Sequence, residues 1–249
     1  MNDLTGIIAA AAGGILPVLA WLWFWLREDR PHPEPRRLIA LAFAAGMATV
    51  AFVIPLENLA AAIIKGFAGS GSVLVCTFIA WSVIEEVSKY LAAELTVLWR
   101  REDDEPIDPS IYLITVALGF SALENTLFLL SPLAGTTLPK IVQTGDLRFI
   151  GATLLHVLSS AVVGVALGLS FYSSRMTKAV SAIAGIAVAI AVHALFNYLI
   201  INSPQEHLLG TFALVWIGVV ILLAALEYVK RVPTPAQRPP YARDTIYLL

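Results

Sequence analysis

Glu85, Glu86 and Lys89 stand together in the stretch WSVIEEVSKY, inside a run otherwise apolar enough to cross a membrane. A charged side chain at mid-bilayer costs about 2.5–3.5 kcal/mol on insertion scales, so three in one span cost on the order of 8–10 kcal/mol. That approaches the whole stability of a typical fold. Few other ionisable residues lie deep in apolar runs: Glu124, His156 and His193, accompanied by Asn125 and Asn197. A carboxylate can take a proton from water, and an imidazole can position that water or bind a metal. A carboxamide can donate to a developing oxyanion. Together these residue types point to water chemistry.

Spacing refines the roles. Glu85 and Lys89 are four apart with the acid first, the favourable order for a helical pair. Glu86 is turned about 100° from Glu85, so one carboxylate can face a partner helix while the other lines a cavity. Lys89 can neutralise one of them. His193 and Asn197, in HALFN, share a helix face and can touch one bound molecule. A catalytic zinc takes about three protein ligands and keeps an open position. His156, His193 and one of Glu86 or Glu124 could supply them, although the HExxH string of many zinc proteases is absent.

These residues must be positioned by membrane helices. Of 249 residues, 58% are hydrophobic and 14% charged, with mean hydropathy +0.80, against about 25% charged in average soluble domains. Seven segments are long enough to span, roughly 4–26, 38–60, 72–99, 110–131, 149–173, 179–201 and 208–229, since a crossing needs about 20 apolar residues. The expected fold is an all-α, polytopic transmembrane bundle over residues 1–230, with 231–249 a disordered cytoplasmic tail. The first segment opens on MND and ends on WLWFWLR without a small-residue cleavage site, so it reads as a retained span, with Trp21, Trp23 and Trp25 as an interfacial belt.

Twelve of the sixteen Lys and Arg residues, including Arg36, Arg37, Arg100, Arg101 and Lys230, then fall on one side. By the positive-inside bias the N-terminus faces out and the C-terminus faces the cytoplasm. In that topology Glu124, His156 and His193 lie roughly 10–12 Å below the outer boundary, and Glu85 and Glu86 about 15–20 Å. Four helices running in alternating directions thus bring acids and imidazoles to one layer. The single cysteine, Cys76, excludes an intrachain disulfide, and a net charge of −2 offers nothing to nucleic acid.

Plainer readings compete. Lys89 could form a structural pair with one glutamate, but it cannot neutralise both. The histidines, Glu124 and the asparagines could simply bond helix to helix. Glu57 and Glu94 read as lying near helix ends, where a charge reaches water cheaply, and are left out of the site. Gly164 and Gly168 read as helix-packing residues. A proton-coupled transporter also needs buried acids and histidines, but would show duplicated halves, and a non-catalytic scaffold could use the same cluster for assembly.

The motifs EEVSK (Glu85, Glu86, Lys89), GFSALEN (Gly119 to Asn125), His156 and HALFN (His193 to Asn197) occur in that order, each on its own span, after the loop DRPHPEPRRL. In this the chain resembles, over about residues 29–200, the PrsW family of intramembrane proteases, distant relatives of the type II CAAX prenyl proteases. The resemblance implies a multi-pass protein of the bacterial cell (inner) membrane that cleaves a membrane-anchored protein near the outer face, such as an anti-sigma factor at site 1. It maps Glu85 and Glu86 onto the acidic pair, His156 and His193 onto the two histidines, and Asn197 onto the asparagine that follows. The family is usually metal-dependent, which implies zinc, whereas the prenyl-protease relatives suggest activation of water by glutamate and histidine without metal. Glu124 is then a third ligand or a neighbour of the ligands, with Lys89 and Asn125 in support.

Overall fold

The computed structural model describes residues 3–67, 69, 71–130, 151–202 and 208–237. Most of these residues fall in seven long helices: α1 Asp3–Trp25, α2 Arg36–Phe67, α3 Val73–Thr96, α4 Asp108–Leu130, α5 Ala152–Leu169, α6 Arg175–Asn202 and α7 Leu208–Val229. Among the described residues there is no strand. Six of the seven are long and apolar enough to cross a membrane. The seventh, α3, has 24 residues, but Glu85, Glu86 and Lys89 interrupt its apolar run. The chain is a polytopic helical bundle.

Contacts close five helices into a ring, α2–α3–α6–α5–α4 and back to α2, with α1 packed outside against α4 and α7 against α5. Apolar on every face, α4 is accordingly the most enclosed helix, with Ile111, Tyr112, Val116, Ala117 and Leu118 all buried, as expected of a helix without a polar stripe. Glycine lets its neighbours approach. A Cβ on Gly46 of α2 would overlap the Val116 carbonyl, and one on Gly119 of α4 would overlap the Phe43 carbonyl, so the two helices touch backbone to backbone at this crossing. Gly164 and Gly168 do the same for α5 against Ser110 and Pro106, the packing role read from the sequence. The outer faces, with Phe52, Ile183, Val220 and Ile221, are exposed apolar surface suited to lipid.

Two expectations need correction. α2 does not stop near residue 60; it runs 32 residues to Phe67, about 48 Å at 1.5 Å per residue. The continuation ENLAAAIIKGF is made largely of good helix formers, so Glu57 sits well inside the helix rather than at its end. Trp25 is not part of an interfacial belt: it is buried in the main core, while Trp23 is exposed. The 132–148 connection, His207 and tail residues 238–249 lie outside the described residues, and the described start of the tail ends in a short 3-10 turn at Pro235–Gln237.

Candidate active site

Each helix of the five-helix ring contributes a polar side chain to one interior cluster. α3 supplies Glu85, Glu86 and Lys89, α4 Glu124, α5 His156 with Ser159 and Ser160, and α6 His193. α2 adds Glu57, which lines the same cavity. Such a cluster is tolerable in hydrocarbon only if its members satisfy one another, and most of these do.

Lys89 lies at the centre, fully buried. Its Nζ donates to Glu86 Oε1 at 2.7 Å and contacts His156 Nδ1 at 2.9 Å, with Glu85 Oε2 at 3.4 Å. Contrary to the pairing suggested by spacing alone, Lys89 therefore sits closer to Glu86, three residues away, than to Glu85, four away. The ammonium also lies 4.7 Å from the Phe120 ring centroid, a cation–π contact. A lysine ammonium has no acceptor, so His156 Nδ1 accepts and the ring proton sits on Nε2. That nitrogen faces Glu124 Oε2 at 3.1 Å.

The two adjacent glutamates have different surroundings. Glu86, 1% exposed, accepts from Lys89, from Ser159 Oγ at 3.0 Å and from Ser160 Oγ at 3.4 Å, and its Oε1 lies 2.7 Å from His193 Nδ1. Glu85 lines the cavity instead. Its Oε2 has no hydrogen bond and meets only looser charge contacts, with Lys89 and with His156 Nδ1 at 3.5 Å. Its Oε1 lies 3.8 Å from His193 Nε2. The two imidazoles meet edge to face, 5.2 Å between centroids.

The cavity beside the cluster holds about 550 Å³, within the usual range of ligand sites. Glu57, Glu85, Glu124, His156, His193 and Asn197 supply its polar wall, and Phe78, Trp81, Phe128, Phe196 and Phe212 much of the rest. It occupies the half of the bundle in which α2, α4 and α6 end and α3, α5 and α7 begin. Asn197, one turn beyond His193, is on the wall. Asn125 is not: its amide donates to Thr153 Oγ1 at 3.0 Å, tying α4 to α5.

The donors also suit a metal. Glu85, Glu86, His156 and His193, all buried, each offer a ligand atom within 4.8 Å of the others. Imidazole and carboxylate are the donors that zinc takes in catalytic sites. Counted as ionised, Glu57, Glu85, Glu86 and Glu124 outnumber the one Lys89 ammonium by three charges, so a dication would offset most of the excess. Glu124 stands outside that group of four, on the far nitrogen of His156.

Residues 34–226 match the family described as PrsW family intramembrane metalloprotease. The chain belongs to that family. It is 24% identical to Protease PrsW of Bacillus subtilis over 194 residues, 78% of this chain and 84% of the relative. The Geobacillus kaustophilus protein of the same name is 24% identical over 221 residues, 88% and 90% of the two chains. That of Clostridioides difficile is 24% identical over 188 residues, 75% and 76%. No solved structure matches the chain. As a PrsW-family member it is a multi-pass bacterial membrane protein and an intramembrane protease.

Spacing singled out Glu85, Glu86, Lys89, His156 and His193, which meet in the cluster. Three participants carried no such signal. Ser159 and Ser160 look like ordinary small residues of a packing helix. Glu57 was hidden by an underestimate of the length of α2; its backbone carbonyl accepts from Trp81 Nε1 at 3.1 Å, joining α2 to α3 beside the cavity.

Proposed function

We propose that this PrsW-family protease hydrolyses a peptide bond of a membrane-anchored protein in the outer half of the bilayer, with its N-terminus outside and Glu85 as the proton acceptor. The observation that carries the reading is the contrast between the two buried glutamates: Glu86 accepts from Lys89, Ser159 and Ser160, whereas Glu85 lines the cavity beside Glu57 and its Oε2 has no hydrogen bond. Glu85 accepts a proton from water as the oxygen attacks the peptide carbonyl carbon. The Asn197 carboxamide donates to the oxygen that gains charge. The proton held by Glu85 then passes to the departing amine as the C–N bond breaks. Glu86 acts through His193, fixing the ring by its Nδ1, a carboxylate–imidazole arrangement typical of the surroundings of catalytic metals.

If zinc is bound, the residues that would hold it are His193, His156 once Lys89 gives up its Nδ1, and a carboxylate of the Glu85–Glu86 pair. When present it would acidify water and polarise the peptide carbonyl. The aromatic wall suits an apolar substrate segment, which must partly unwind because helical hydrogen bonds shield its carbonyls. An anti-sigma factor is the substrate suggested by the family resemblance. The test is cleavage of a membrane-anchored substrate by purified protein in liposomes, with metal content measured on the same sample. Cleavage by wild type that is lost in Glu85→Gln supports the reading, and cleavage that persists at the wild-type rate in Glu85→Gln contradicts it; loss of bound metal in His156→Ala would assign that ring to the metal.

A further inference from the structure

A second group of carboxylates lies at the opposite end of the bundle. Asp29 and Glu34 come from the connection between α1 and α2, and Asp108 begins α4. Each offers an oxygen within 4.8 Å of the other two. Each is also oriented by a protein donor through one of its oxygens. The Glu34 backbone N–H donates to Asp29, the Tyr112 hydroxyl donates to Glu34 Oε2, and the Asp104 and Glu105 N–H groups donate to Asp108 Oδ2 at 2.9 and 2.6 Å.

What these donors leave over points to a ligand. Asp29 is 3% exposed and Asp108 1% exposed, yet Asp29 Oδ2 finds no hydrogen-bond donor, and Asp108, beyond its two backbone donors, meets only the Glu34 carboxyl. Buried carboxylates crowded in this way are costly unless a cation meets them or a proton is shared between two of them. Neighbouring basic side chains are engaged elsewhere: Lys230 with Glu28 and Glu227, Arg37 with Glu102, and His32 with Glu105. Oxygen ligands at about 2.3–2.6 Å from a calcium ion stand up to roughly 5 Å apart, which this spacing allows. The prolines Pro31, Pro33 and Pro35 stiffen the connection, and a cavity lined by Asp29, His32, Glu105 and Lys230 gives an approach.

We infer that Asp29, Glu34 and Asp108 form a site for a hard, oxygen-seeking divalent cation that clamps the α1–α2 connection onto the start of α4. It is separate from the catalytic cluster, which lies toward the far end of α4. Three carboxylates and no nitrogen or sulfur donor select calcium or magnesium rather than zinc.

The test uses the full chain, purified in detergent and stripped with chelator, with its thermal midpoint followed as Ca2+ or Mg2+ is added. A ligand that binds only the folded state raises the midpoint in proportion to the logarithm of its excess over Kd, so about 5 mM of a bound ion should shift it by on the order of 5 °C. The shift should persist in His193→Ala, which alters the catalytic cluster, and vanish in Asp29→Asn. Without added ion, Asp29→Asn should melt at or above wild type, because one of three crowded carboxylates is gone. Glu34→Gln gives the same readout if Asp29→Asn does not fold. A response to one ion alone identifies the ion. No response of wild type to either ion overturns the inference. So does a shift that survives both Asp29→Asn and Glu34→Gln, or one that His193→Ala removes.

Discussion

His193 Nδ1 lies 2.7 Å from Glu86 Oε1, across the contact between α6 and α3. Glu86 is thereby the group that sets which way the His193 ring points, while Glu85, one residue earlier, is left on the cavity wall. Replacing Glu86 with glutamine keeps the shape but removes the charge that orients the ring. Second-layer partners of this kind are worth about 10–100-fold in activity or metal affinity. Glu86→Gln should therefore lower the cleavage rate by about that factor while the protein still inserts and folds, as read by rate assays beside size-exclusion profiles.

Lys89 is fully buried, and its charge is balanced chiefly by Glu86. Removing one partner of a buried pair costs about 3–5 kcal/mol, because the other charge is left uncompensated. Lys89→Met should lower the thermal midpoint clearly. The double variant Lys89→Met with Glu86→Gln should lose less than the two single losses added together, since residues in one network do not behave independently. Additive losses would separate the two side chains energetically.

Gly119 faces the Phe43 carbonyl where α4 crosses α2. A methyl there has backbone, not a movable side chain, in its way. Overpacking of this sort costs about 1–3 kcal/mol, so Gly119→Ala should melt earlier than wild type, whereas Gly66→Ala, at a position with open space around it, should melt close to wild type.

Outside the spans, burial and the Asp108 carboxylate push the Asp103 carboxyl up from its ordinary 3.8 to about 8, with Lys178 opposing and Glu94 and Asp104 adding to the rise. Folding thus favours the protonated acid. That stability is fully present below the unfolded value near 4 and is lost as pH rises through about 8. Asp103→Asn should flatten the fall in thermal midpoint between about pH 4 and 8, the window set by the two values, and should melt above wild type at the alkaline end.

Charges in an apolar run are legible because bilayer insertion is costly, so Glu85, Glu86 and Lys89 announced a site before any contact was known. The i,i+4 spacing of His193 and Asn197 likewise put both on one face, and both line the cavity. Which glutamate Lys89 prefers was not legible: spacings of three and four are both open to a lysine, and the choice depends on His156, 67 residues away. Asn125 was legible as an intramembrane amide but not as a partner of Thr153, because an amide carries no mark of which helix it will meet. Glu57 was missed for a different reason. A span length of about 20 residues describes the hydrocarbon, not the helix, and α2 continues well beyond it. Trp25 looked interfacial by its place in WLWFWLR, yet a three-residue aromatic alternation must turn one ring inward on a helix packed against a core.

The proposed role of Glu85 as the group that takes the proton from water can be read from one substitution. The measurement is the cleavage rate of a membrane-anchored substrate by Glu85→Gln in liposomes, against wild type, with the thermal midpoint recorded on the same preparations. Glutamine preserves the size of the side chain and removes its basicity, and a positioned general base contributes typically 10²–10⁴-fold. The expected result is a loss of about that size in a protein that still melts cooperatively, since Glu85 Oε2 gives up no hydrogen bond and Lys89 keeps its closer partner Glu86. Cleavage by Glu85→Gln at the wild-type rate would contradict it.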